Sequence, residues 1–320
     1  MKHVFIINPV SGVTNAKVFL KPKIEAAAEK LGADYVIATT EYPGHATEIV
    51  NKYAKSGVPV RFYACGGDGT LNEVLLGALK YENAATACVP CGSGNDFVRN
   101  FGPREAFLNI EDQMLGKTVD IDIIQTQNGI ASSICSAGLD ARVGYDIPKF
   151  RRLPGMGGEM AYRLSILTAL CSKLGHQLRV VADEEVFTGK YLMIAICNGV
   201  AYGGGFKASP EANMCDGLLE LVMVKKISRL RIAGVVNTYK TGKHICQGRV
   251  IPELEDVVTY RKVKNVSIQV LDERPIVLNQ DGECSLCNKM EAHVRPGATN
   301  IVLPASLCKR YQMAKFRINQ

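Results

Sequence analysis

Residues 66–73 read Gly66-Gly67-Asp68-Gly69-Thr70-Leu71-Asn72-Glu73. This run follows an apolar stretch, VRFYA at 60–64. It precedes Leu71, Val74, Leu75, Ala78 and Leu79, which fall on one face of a helix. Strand, Gly-rich turn and helix in that order predict one half of a βαβ unit. The glycines let the backbone turn sharply and come close to a ligand. Their N–H groups, with the helix N-terminus, make a seat for phosphate oxygens. Bare phosphate would repel Asp68, so the carboxylate makes sense against Mg²⁺ or a hydroxyl. Thr70 and Glu73 have capping-box spacing, which predicts that Thr70 caps the helix and Glu73 reaches back. A plain structural turn capping a helix would use the same residues. The pattern is neither a Walker A loop nor G-x-G-x-x-G.

The same alternation extends to both sides. Strands are predicted at 4–7, 35–39, 60–64, 86–90 and 119–124. Helices are predicted at 16–31, 45–56 and from Leu71 on, with another starting near Asn95. The βαβα order predicts a parallel sheet with helices on both faces, whose ligands bind beyond the C-terminal strand ends. From about 130 the pattern changes to runs at 130–137, 178–183, 190–197, 218–224, 263–271, 276–279 and 290–295. Two helices interrupt them, 159–174 and 228–240. In the first, Met160, Leu164, Leu167, Leu170 and Leu174 share a face. The fold class expected is an α/β N-terminal nucleotide-binding domain with a parallel sheet, plus a mostly antiparallel β-sandwich second domain. The first is expected to span 1–127 and the second to follow from 128 to 300.

The chain has 320 residues, 47% hydrophobic and 22% charged, which is ample for two cores. Its formal charge of +7 favours polyphosphates or anionic headgroups. No dense basic run with interleaved aromatics marks a nucleic-acid binder. MKHVFIINPV is too short for a signal segment, and no run reaches the roughly 18 apolar residues of a membrane span. A cytoplasmic protein is expected. Eleven cysteines form an odd count that argues against a disulfide framework. Cys88/Cys91 and Cys284/Cys287 have zinc-compatible spacing, but neither pair sits in a compact finger, and small buried thiols are the competing expectation.

Four further motifs bear chemistry. Pro90-Cys91-Gly92-Ser93-Gly94-Asn95-Asp96 also ends a strand, and Ser93 with adjoining N–H groups suits another part of a polyphosphate. Asn8-Pro9-Val10-Ser11-Gly12 follows the first strand, where Asn8 suits a nucleotide contact or a brace for the loop. Thr39 and Thr40 end the second strand. Asn279-Gln280-Asp281-Gly282-Glu283 reads either as a hairpin turn with solvated carboxylates or as a loop that carries Glu283 across the interdomain cleft as a general base. Asn213-Met214-Cys215-Asp216-Gly217-Leu218 is either a plain turn or a hard-cation site of one carboxylate and backbone oxygens. Finally, YDIPKFRRLPGMGGEM at 145–160 mixes aromatic and basic residues, as a mobile basic loop or a membrane contact would.

NPVSG at 8–12, GGDGTLNEV at 66–74, GSGNDF at 92–97, DGLLEL at 216–221 and DGE at 281–283 together resemble the bacterial diacylglycerol kinase catalytic-domain family, lipid kinases similar to sphingosine kinases. The resemblance spans nearly the whole chain and implies that its end returns, so that 301–320, with a strand at 301–303, would complete the first domain. It implies ATP as co-substrate and Mg²⁺ as cofactor. Asn8, Thr40, Gly66, Gly67, Asp68, Gly69, Thr70, Leu71, Asn72 and Ser93 would surround the nucleotide. Asp68 would also serve the catalytic Mg²⁺, and Glu283 would be the base. Asp216, with backbone oxygens of Asn213 and Leu218, would hold a structural Mg²⁺. Ser93-Gly94 stands where many members have Thr-Ala. The substrate implied is a membrane lipid, diacylglycerol by default, reached by peripheral contact with the inner face of the membrane, and phosphatidic acid would be the product of phospholipid metabolism. A sphingoid base or another lipid alcohol is the alternative acceptor. An NAD kinase and a non-catalytic lipid-binding module are the remaining alternatives, and a homodimer is left open.

Overall fold

The computed structural model describes residues 1–12, 16–92, 94–153 and 158–311. The chain divides into two compact units, Met1–Ile123 with Pro296–Gln320, and Ile124–Arg295.

In the first unit β1 (Lys2–Ile7), α1 (Ala16–Leu31), β2 (Tyr35–Thr39), α2 (His45–Ala54), β3 (Val60–Gly66), α3 (Asp68–Ala78) and β4 (Ala84–Pro90) alternate. The strands lie in the order β2-β1-β3-β4, all parallel. The chain steps outward from β1 in both directions, so a topological switch point falls between β1 and β3. Leu20, Ile24 and Ala27 of α1 pack on Phe5, Tyr63 and Val89 of the sheet. The helix expected from Asn95 does not form. Two short 3₁₀ turns, Phe97–Asn100 and Arg104–Leu108, stand there, cut by Gly102-Pro103, and α4 (Ile110–Met114) follows. β5 (Lys117–Thr126) leads out of this unit.

The second unit is an antiparallel β-sandwich. It contains β6 (Gly129–Ala131), β7 (Ile134–Gly138), α5 (Leu139–Arg151), α6 (Gly158–Cys171), β8 (His176–Ala182), β9 (Glu185–Cys197), β10 (Leu219–Lys225), α7 (Arg229–Lys240), β11 (Ile245–Cys246), β12 (Arg249–Val250), β13 (Val258–Val263), β14 (Asn265–Val270), β15 (Ile276–Gln280) and β16 (Glu283–Cys287). The path β16-β15-β7-β9-β8-β14 is antiparallel throughout, and β10 pairs with β9 and β13. Leu178, Ile194, Leu221, Ile268 and Leu278 are among the side chains of its buried core. β17 (Lys289–Leu303) begins in this unit. Its last residues lie in the first, where Ile301 and Val302 pair in parallel with Thr86 and Ala87 of β4, and α8 (Ala305–Tyr311) follows.

Two further departures from the sequence expectations concern helices. Residues 145–151 are not a loop but the end of α5, which tolerates both Gly144 and Pro148. The expected apolar face of α6 is not its buried face. Ala161, Ser165 and Ala169, spaced by four, are buried, whereas Met160 and Leu167 are each 58% exposed. Small residues allow close approach between helices, and α6 packs on α5. No helix among the described residues is long and apolar enough to cross a membrane.

Candidate active site

Parallel strands end on one edge, so the segments after Ile7, Thr39, Gly66 and Pro90 converge. Three of them are laced together. The Gly66 carbonyl accepts the N–H groups of Cys91 (2.9 Å) and Gly92 (3.0 Å), and the Asp68 N–H donates to the Gly94 carbonyl (3.1 Å). A Cβ on Gly92 would come within 2.6 Å of Gly67 Cα, so these two turns touch backbone to backbone. Gly12, at φ +85°, closes on the third segment: a Cβ there would meet the Cys91 carbonyl oxygen at 2.4 Å.

The side chains of the cradle hold it rigid. Asn8 Nδ2 donates to Thr70 Oγ1 (3.1 Å), while Asn8 Oδ1 accepts the Val10 N–H (3.1 Å). Asn8 thus braces its loop to α3. The Asp68 carboxylate accepts the N–H groups of Asp96 (3.0 Å) and Phe97 (3.4 Å), tying the first turn of α3 to the segment after β4. Thr40 is buried, and its N–H donates to the Ile7 carbonyl (2.9 Å). The capping box expected of Thr70 and Glu73 is absent. Gly67 is the N-cap, and Thr70 lies inside α3. Glu73 instead accepts the N–H groups of Gly44 (2.9 Å) and Ala46 (3.2 Å), capping α2 in place of the side chain that Gly44 lacks. The first turn of α3 therefore keeps no side-chain cap. Asn72 Oδ1 and Asn95 Oδ1 are buried with no hydrogen-bond partner among the described residues. The cradle thus fits an incoming polar ligand. Burial pushes the Cys91 thiol above its ordinary value, opposed by the positive charges of Arg104 and Lys23. Those two cations put positive potential at this end of the cradle. Ser93 lies outside the described residues.

In the second unit, Asp281 and Gly282 form a two-residue hairpin turn, with φ of 47° and 101° and Gln280 paired with Glu283. The Asp281 carboxylate is not solvated. It accepts the N–H groups of Ser132, Ser133 (3.1 Å) and Ile134 (2.9 Å), and the Ser132 hydroxyl (2.8 Å). Burial pushes this carboxyl above its ordinary value, and those bonds pull it back. No local pattern signals this role, because the three amides lie about 150 residues upstream. Glu283, on the far side of the turn, is exposed.

The 213–218 turn has its own order. Asp216 Oδ1 accepts the Leu218 N–H (3.1 Å), and Asn213 Oδ1 accepts the Cys215 N–H (3.2 Å). Asp216 Oδ2 is 3.5 Å from Lys262 Nζ, which also lies 3.1 Å from the buried Glu220. One carboxylate plus the carbonyls of Asn213 and Leu218 is an all-oxygen set that fits a Mg²⁺ keeping several waters. The ammonium of Lys262 shows that the position accepts positive charge, and it would compete with the ion. All eleven cysteines are free thiols, and no cluster of three or more His, Cys, Asp or Glu side chains able to hold a metal occurs among the described residues.

Residues 2–126 match the model of the diacylglycerol kinase catalytic domain, and 133–303 match that of the YegS C-terminal NAD kinase beta sandwich-like domain. The chain is 30% identical over 283 residues to a diacylglycerol kinase of Bacillus subtilis (strain 168), covering 87% of this chain and 88% of that protein. It is 29% identical over 280 residues to a diacylglycerol kinase of Staphylococcus haemolyticus, covering 87% and 81%. The crystal structure of a diacylglycerol kinase from Bacillus anthracis str. Sterne superposes with a TM-score of 0.68 at 19% identity, over 96% of this chain and 98% of that one, which establishes the likeness of fold.

Proposed function

Because the chain belongs to the diacylglycerol kinase catalytic-domain family, and is therefore a lipid kinase, we propose that it transfers the γ-phosphate of ATP to the hydroxyl of diacylglycerol, giving phosphatidic acid. The observation that carries this reading is the interlocked cradle at the β1/β3 switch point, where glycine turns touch backbone to backbone and the first turn of α3 keeps no side-chain cap, the arrangement that seats phosphate. The names of its relatives point to diacylglycerol as acceptor.

In this mechanism Asn8, Thr40, the 66–72 segment and Ser93 surround the nucleotide. Mg²⁺ bound with the phosphates would neutralise their charge. Asp68 would serve that ion, and the N–H groups of Asp96 and Phe97 that donate to its carboxylate fix its position. Glu283 orients the acceptor hydroxyl and takes its proton, held in place by the Asp281 turn. Asp216, with backbone oxygens of Asn213 and Leu218, would hold a second, structural Mg²⁺.

The enzyme works from the cytoplasm and meets the inner face of the membrane transiently. Lys149, Arg151 and Arg152 end α5 as exposed cations, beside exposed Tyr145 and Leu153. With Met160 and Leu167 of α6 they combine basic and apolar surface, the pairing that binds anionic membranes.

The deciding experiment offers labelled ATP with diacylglycerol, a sphingoid base and NAD, each separately. Phosphatidic acid is the expected product. Phosphorylation of another acceptor with diacylglycerol untouched would overturn the assignment.

A further inference from the structure

A cavity of about 270 Å³ in the second unit has a divided lining. Arg142, Lys173, His176 and Arg274 supply basic groups. Leu139, Leu174, Leu192, Pro275, Val277 and Leu286 supply an apolar floor. It lies at the base of the α5–α6 pair, between the first turn of α5 and the segment that leaves α6. We propose that this cavity binds a phosphate-bearing amphiphile, its anionic head on Lys173 and Arg274 and its first methylenes on the apolar floor.

The charge balance selects an anion. Arg142 is paired with Asp146 at 2.7 Å. Arg274 is only loosely held, 3.8 Å from Asp272 and 3.4 Å from the Gly175 carbonyl. Lys173 has no carboxylate partner among the described residues. His176 Nδ1 is buried without a hydrogen bond, 3.5 Å from Asp272. Burial lowers the His176 pKa, with the charge of Arg274 adding to the effect. A neutral imidazole there can donate to or accept from a phosphate without repelling the guanidinium. An amine-bearing lipid would instead meet three cations.

The floor selects an alkyl chain. Leu286 is 52% exposed although it lines the cavity, so apolar surface is available to cover. The volume is just below the usual range of ligand sites, about 300–1,000 Å³, enough for a headgroup and the start of a chain but not for two full acyl tails. The ligand therefore enters head first and leaves its tails outside. Two sources carry this chemistry: a phospholipid of the membrane, and a lipid phosphate monoester such as the product of a lipid kinase.

Isothermal titration of the full chain without nucleotide tests the site. The probes are dihexanoyl phosphatidic acid, dihexanoyl phosphatidylglycerol, inorganic phosphate and dihexanoyl glycerol, all below micelle concentrations. Both anionic lipids are expected to bind saturably, and phosphate and dihexanoyl glycerol at least tenfold more weakly. A preference for phosphatidic acid names the monoester as ligand, and equal affinity names any phospholipid headgroup. Lys173→Gln with Arg274→Gln should weaken both lipids at least tenfold, and Leu286→Asn should weaken the lipids while leaving phosphate unchanged. If the double variant does not fold, Lys173→Gln alone carries the rim test. Weak binding of dihexanoyl glycerol beside saturable binding of both anionic lipids separates this site from the acceptor assignment. No saturable binding of either lipid, phosphate binding as tightly as the lipids, or unchanged affinity in the folded variants would overturn the proposal.

Discussion

Asp281→Asn isolates what the hairpin turn contributes. The carboxylate receives three backbone N–H groups and one hydroxyl from residues 132–134. Asparagine keeps the shape and tolerates the φ of 47° that a turn residue needs here. It retains one acceptor oxygen, but its NH₂ group faces donors. Charge-assisted hydrogen bonds contribute about 1.5–3 kcal/mol each against about 0.5–1.5 for neutral ones, and a buried donor left unpaired costs about 1–3. Weakening two bonds and orphaning one N–H therefore removes roughly 3–6 kcal/mol. Alanine would remove more, because all three N–H groups lose their partner and the left-handed backbone adds roughly 1–2 kcal/mol. Urea unfolding followed by circular dichroism measures the loss. Turnover should also fall while ATP affinity holds, because the β15–β16 turn that carries Glu283 is loosened. An asparagine variant within about 0.5 kcal/mol of the parent, with parental turnover, would show that the turn does not depend on these bonds.

The other expectations divide among chemistry, metal, membrane and pH. Glu283→Gln should lower turnover by roughly 10²–10⁴-fold and leave ATP affinity unchanged, whereas Asp68→Ala should impair turnover and the Mg²⁺ dependence of ATP binding together; steady-state kinetics with nucleotide titration separates the two. Asp216→Asn should abolish the rise in thermal midpoint that Mg²⁺ gives the parent, and an identical Mg²⁺ response in both proteins would count against a metal there. Neutralising Lys149, Arg151 and Arg152 should weaken sedimentation with anionic vesicles at low salt, by up to roughly 1 kcal/mol per charge. His3, buried against Tyr63 and bonded to its hydroxyl at 2.7 Å, has its pKa lowered to about 4, chiefly by burial. The unfolded chain binds that proton more readily, so stability should fall by roughly 2 kcal/mol as pH drops from about 6.5 to 4. His3→Phe should flatten that slope in pH-dependent unfolding.

Where one apolar period sufficed, the sequence was easily read. β1 to β4 are short apolar runs, and α1 carries Leu20, Ile24 and Ala27 on one face. The errors arose where a partner lay far away in the chain. Glu73 has the spacing to cap its own helix, but α2 presents N–H groups after a glycine, and tertiary contact prevailed. Asp281 reads as a solvated turn because its amides come from residues 132–134. α5 was obscured by Gly144 and Pro148, which local propensity counts against a helix. In α6 the leucines and methionine suggested the buried face, but close helix contact selected Ala161, Ser165 and Ala169. The motifs gathered on the cradle were legible because glycine turns at strand ends keep their chemistry wherever the strands pair.

The return of β17 also bears on how the protein is made. Ile301 and Val302 complete the sheet of the first unit beside β4, and Val302 is part of its core. Those residues are synthesised more than two hundred positions after Thr86. While the ribosome is still building the sandwich, the β4 edge has no neighbour on that side, an unpaired border open to other chains. Its closure waits until residues 301–302 have been made and pairs residues of very high sequence separation, which makes it slow. Released fragments that end before residue 300 should therefore be held by chaperones and be degraded more readily than the 320-residue chain.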